Sequence, residues 1–138
     1  MTQEEKMLLI KDLSARLPYA VTVEHTSGFR GTLHDITIHH MYDDNDDIYN
    51  AICYTDFFGD EDCIYIEYFK PYLFPLSSMT EEQKRVYNMM SLDADWVSNP
   101  HYNVPAYNVL DWFNENHLDY RDLIGKGLAI DATGKNIY

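Results

Sequence analysis

The stretch AVTVEHTSGFRGTLHDITIHH, residues 20–40, decides the fold class. From Ala20 to His25 apolar and polar residues alternate. Val21 and Val23 therefore share one face and Thr22 and Glu24 the other, which is the period of a half-buried strand. Ser27-Gly28-Phe29-Arg30-Gly31 supplies turn residues, and Thr32 to His40 resumes in extended form. Strict alternation sets Leu33 on the face opposite Ile36 and Ile38. A bulge or sharp bend near His34-Asp35, where an extra residue shifts the period, returns them to one face.

Upstream, Thr2 and Glu5 have the spacing of a capping box, in which hydroxyl and carboxylate satisfy amides that have no intrahelical partner. Leu9, Ile10, Leu13 and Leu17 then recur at helical spacing as a buried stripe, with Lys6, Lys11 and Arg16 largely off it. Pro18 ends this helix.

Downstream, Asp43 to Asp47 reads as a polar loop. Ile48–Tyr54 and Cys63–Phe69 read as a hairpin joined across residues 56–62, followed by a loop holding Pro71 and Pro75. Thr80 and Gln83 form a second capping box, opening a helix to about Met90 with Val86, Met89 and Met90 on its apolar side. Residues 91–105 lack a period. Ala106–Asn116 is helical, with Val109, Leu110 and Phe113 as its stripe. Leu118–Gly125 reads as one more helical turn, Gly127 as a breaker, and Leu128–Ile130 as a short strand. From Asp131 onward nothing obvious asks to be buried, so a loose tail is expected. No repeat or second core is evident.

These elements predict one domain over residues 1–138. It is of α+β class, with an N-terminal helix, an antiparallel sheet of about four strands and C-terminal helices. A small SH3-like or Sm-like barrel with added helices is the architectural alternative.

The chain of 138 residues is 46% hydrophobic and 14% aromatic, which is ample for one core. No run approaches the ~18 apolar residues of a membrane span, and no export signal is evident. A reducing cytoplasm is the expected setting, with Cys53 and Cys63 as thiols. If the hairpin turns about Phe58, these cysteines stand directly opposite each other on one face.

The formal net charge is −13, and residues 43–62 carry eight acids and no base. Such a field repels phosphate backbones, so direct nucleic-acid binding is not expected; it suits a basic protein partner, or serves solubility.

Asp43, Asn45 and Asp47 have the first three spacings of a calcium loop. Ile48 and Tyr54 stand where that loop needs its glycine and its bidentate glutamate. No metal or cofactor site follows. The six histidines do not converge in sequence. Gly125-Lys126-Gly127 is a helix stop rather than a phosphate loop. His117, Asp119, Arg121 and Asp122 read as a surface ion-pair cluster.

The chain carries Met1-Thr2-Gln3-Glu4-Glu5-Lys6 and Ala15-Arg16-Leu17-Pro18-Tyr19 near its start. Lys70-Pro71-Tyr72-Leu73 and Ser77-Ser78-Met79-Thr80-Glu81-Glu82 lie in its middle. Asp111-Trp112-Phe113-Asn114 and His117 to Ala129 lie near its end. Together these resemble uncharacterised small proteins of Bacteroides-type gut bacteria and their phages or mobile elements. The resemblance is weakest over residues 26–62. It implies a cytosolic setting and a mobile-element origin, and it carries no catalytic residue.

The reading that follows is a non-enzymatic interaction or inhibitor/accessory protein. Its partner surface is acidic and aromatic: Asp43, Asp44, Asp46, Asp47, Phe57, Phe58, Asp60, Glu61 and Asp62. An enzyme with a composite site, drawn for example from His34, His40, Glu67 and Asp119, is the alternative. A self-associating structural module is the third reading.

Overall fold

The structure, a computed structural model, describes residues 1–43, 46–55, 62–92 and 109–138, with backbone alone at 39–43, 46–55, 62–64 and 91–92. The chain begins with α1 (Gln3–Arg16), opened by the expected box. The Glu5 amide donates to the Thr2 hydroxyl at 3.2 Å, and the Thr2 amide to the Glu5 carboxylate at 2.7 Å. A 3-10 turn at Leu17–Tyr19 carries Pro18, and Ala20 takes a left-handed φ of 52° to start the sheet.

Strands β1 (Thr22–His25), β2 (Arg30–Asp43), β3 (Asp46–Thr55) and β4 (Asp62–Tyr65) follow in antiparallel succession. The alternation read from residues 20–25 holds: Val21 and Val23 are fully buried. So does the bulge, because the β2–β3 register shifts between Leu33 and Asp35. Leu33 is buried, and Ile36 packs against the same core.

After a 3-10 turn at Ile66–Tyr68 comes β5 (Phe69–Pro75), where a loop was expected. Proline cannot donate to a ladder, which argues against an interior strand. Here Pro71 pairs in register with Val23, and β5 is held on its further positions by two short parallel strands. These are β6 (Leu118–Asp119) and β7 (Ile130–Asp131). The sheet runs β4-β3-β2-β1-β5-β6, with β7 also on β5. The domain is α+β, with a mixed sheet that is also compatible with the small-barrel alternative.

Two further helices, α2 (Glu81–Leu92) and α3 (Val109–Glu115), follow β5. α2 opens with the second box, the Gln83 amide donating to the Thr80 hydroxyl at 3.1 Å and the Thr80 amide to the Gln83 carbonyl at 2.9 Å. The predicted stripes need correcting. Met89 and Leu110 are exposed, while Val86, Tyr87, Met90, Val109, Trp112 and Phe113 pack together. Leu118–Gly125 is not helical: it starts as β6 and continues in turns.

A second core does exist. The first, larger cluster joins Leu9, Ile10 and Leu13 of α1 to Val21, Val23, Leu33, Phe69, Leu73 and Leu123. The second joins Trp112, Phe113 and Leu118 to α2 and to Phe74. Leu73 and Phe74 are neighbours on β5 and therefore point to opposite faces, so one strand serves both clusters.

Candidate functional site

Beyond the bulge, β2 and β3 form a two-stranded ribbon paired from Asp35↔Tyr54 to Asp43↔Asp46. β1 is in register with β2 over Arg30 to Thr32, with one further bond from the Leu33 amide to the Val21 carbonyl at 3.0 Å, and β4 is in register with β3 over Ile52 to Thr55. The ribbon's far half thus extends past both flanking strands. Its end carries Asp43, Asp46 and Asp47, with Tyr42 opposite Asp47. Asp62 pairs with Thr55 at the other end of β3, about 30 Å away at strand rise. Among the described residues, the acids of this segment therefore stand at two ends of one strand. Asp44, Phe57, Phe58, Asp60 and Glu61 lie outside the described residues.

The β3–β4 register also separates the cysteines. Cys53 pairs with Ile64 and Cys63 with Tyr54, so the direct opposition expected from a turn about Phe58 is not formed. The ladder is one residue out from that expectation.

Of the composite set, Glu67, Asp119 and His34 have described side chains. Glu67 pairs with Lys6 at 2.7 Å. Asp119 is buried and accepts the Leu123 and Ile124 amides, each at 2.8 Å, capping the turn that follows. His34 is exposed at the bulge, and the His40 side chain lies outside the described residues. Asp122 pairs with Lys126, while His117 and Arg121 turn inward, so the expected surface cluster is split.

What the structure brings together instead is a polar seam between α1 and the β6 region. Asp12 and Arg16 are both fully buried. Arg16 donates through Nε to Asp12 at 2.7 Å and through Nη2 to Asp12 at 3.1 Å and to the Leu118 carbonyl at 2.8 Å. Arg121 Nε donates to the same carboxylate at 3.2 Å, and its Nη2 to the Tyr120 hydroxyl at 2.9 Å. Tyr120 in turn donates to buried Asn114 at 3.1 Å. Both guanidinium groups lie over the Tyr120 ring, at 5.5 Å and 4.7 Å. The expectation that Arg16 falls off the buried stripe is overturned. The signal was present: Asp12 and Arg16 are four apart, on the turns that carry Leu9 and Leu13.

Next to this seam lies a second unforeseen feature. The tail expected to be loose is anchored by the Ala132 amide, which donates to the Leu73 carbonyl at 2.8 Å. Its last residue, Tyr138, donates its hydroxyl to the Tyr72 carbonyl at 2.7 Å and accepts the Thr22 amide at 3.3 Å. The Tyr138 ring stacks on His117 at 3.8 Å and 7°. Burial pushes the Tyr138 phenol up to about 12. Burial, and then the Arg16 charge, push His117 down to about 4, so its ring is neutral near pH 7. His117 holds a left-handed φ of 52°, which aims its ring at the tail.

A cleft of about 330 Å³ opens beside the tail, lined by Thr22, Arg30, Gly31 and Thr32 on the hairpin side and by Asn136 and Ile137 on the other. At its edge Glu24 accepts both the Tyr72 hydroxyl and Arg30 Nε, and those bonds hold its carboxyl below the usual range. Among the described residues no group of three metal-ligating side chains occurs, and no helix is long and apolar enough to cross a membrane.

Comparison with family models, with curated proteins and with solved structures finds no match for this chain.

Proposed function

We propose that this protein is a non-enzymatic binding module that docks a basic protein surface through its acidic β2–β3 ribbon. The observation that carries this reading is the register Asp43↔Asp46 and Tyr42↔Asp47. It places Asp43, Asp46 and Asp47 at the far end of a ribbon reaching past the strands that flank it. A field of one sign at a projecting end raises the encounter rate with a partner of opposite sign. The register sharpens the proposal: Asp43, Asp46 and Asp47 make the first contact, and Asp62 stands at the other end of β3. An inhibitor or accessory role from a mobile element is part of the same proposal and rests on the resemblance, while the reduced state of both thiols in a cytoplasm rests on the lack of an export signal.

The test compares two variants, one with Asn at 43, 44, 46 and 47, the other with Asn or Gln at 60, 61 and 62. Pull-downs from the source cytosol at low and moderate salt identify the partner, and binding kinetics are then measured on it. The ribbon variant is expected to associate about tenfold more slowly at low salt, with a flatter salt dependence. Identical partner sets and association rates for both variants and the native protein would defeat electrostatic docking.

A further inference from the structure

The contacts of Tyr138 repair a strand seam. In the β1–β5 ladder Val23 pairs with Pro71 and Glu24 with Lys70, so the next step would bring Thr22 opposite Tyr72. At that step the two backbones do not pair directly. The Tyr138 hydroxyl stands between them, taking the Thr22 N–H at 3.3 Å and giving its own proton to the Tyr72 carbonyl at 2.7 Å. A phenol suits this position because its oxygen is both donor and acceptor, and because its ring finds a parallel floor in His117 at 3.8 Å and a second aromatic wall in Phe74 at 5.9 Å. Between Ala132 and Ile137 the tail is exposed, and Tyr138 is itself 47% exposed with its hydroxyl end covered between Thr22 and Tyr72, so the attachment rests mainly on Ala132 and that hydroxyl. Asn136 and Ile137 also form one wall of the adjoining cleft.

We infer that the Thr22 amide, the Tyr72 carbonyl and the His117 ring form a phenol-binding slot. Tyr138 occupies it in cis, and residues 133–138 act as a strap that covers the slot and walls the cleft. The ligand class is a para-substituted phenol such as a tyrosine side chain. A ring without the hydroxyl leaves a backbone donor and acceptor unpaired and is discriminated against. Lifting the strap removes the Asn136–Ile137 wall, exposing the cleft over Arg30 and Thr32 together with the slot.

The experiment uses the full chain carrying Tyr138→Ala, titrated with p-cresol and, separately, with toluene, and followed by amide NMR. The variant is expected to bind p-cresol with a dissociation constant of about 1 mM or tighter, with saturable shifts at the Thr22 amide. Toluene is expected to bind at least about tenfold more weakly, and the native protein should bind neither at the slot. A folded Tyr138→Ala variant that ignores p-cresol, or that binds toluene equally well, overturns the inference. Tyr138→Phe keeps the stack and removes only the hydroxyl, so it serves if the alanine variant does not fold. Its Thr22 amide should exchange with solvent about tenfold faster than in the native protein, and an unchanged rate overturns the slot.

Discussion

At the scale of single residues the decisive group is the Asp12 carboxylate, because two guanidinium groups from distant parts of the chain converge on it inside the protein. Ion pairs of this kind hold little net stability against an apolar replacement, yet breaking one is costly, since a buried charge is left uncompensated. Asp12→Ala is therefore expected to cost about 3–5 kcal/mol. Replacing Asp12, Arg16 and Arg121 together by apolar residues should cost less than the single change. Urea denaturation of both variants measures the difference. His117 gives a second prediction. Its folded pKa, about 4, lies below the ordinary 6.5, so between those values the unfolded chain binds the proton and the folded one does not. Stability then falls as the pH drops from about 6.5 to about 4, and above that window the group has no effect. His117→Asn, which tolerates the left-handed φ, should flatten this part of the midpoint-against-pH curve; an unchanged slope would mean that other groups set it.

At the scale of elements, α1 is the clearest case of a segment whose local code and tertiary role coincide. Its capping box starts it, Pro18 stops it, and Leu9 and Leu13 between them are fully buried. Leu13→Ala should cost about 2–5 kcal/mol, through lost transfer energy and the cavity left behind. A denaturation midpoint that does not move would mean that the helix face is wrong. β5 is the contrary case. Its two prolines read as a loop, because the features that make it a strand are the register partners Val23, Ile130 and Leu118, which no local window contains. The same holds for the stripe of α3. Leu110 and Trp112 are both good apolar candidates, and only the placement of Tyr87 and Phe74 decides that tryptophan faces in and leucine out.

At the scale of the whole molecule, the alternation in residues 20–40, the bulge after Leu33, both capping boxes and the α+β class were legible in the sequence by itself. Each depends on residues within a few positions of one another, where backbone sterics and hydrogen bonding act directly. The overall acidity and its concentration in residues 43–62 were equally legible, since charge is a property of composition. Only the tertiary structure decided that Asp43, Asp46 and Asp47 stand at one end of β3 and Asp62 at the other, and that the cysteines are not register partners. A one-residue change in the turn moves every partner, and neither register leaves a mark on local propensity. The tertiary structure alone also decided that the Leu118 carbonyl completes the bonding of Arg16 and that Tyr138 closes the β1–β5 seam. Those partners lie 102 and 116 residues apart in sequence, and a polar side chain declares itself buried only once the groups that satisfy it have been brought to it.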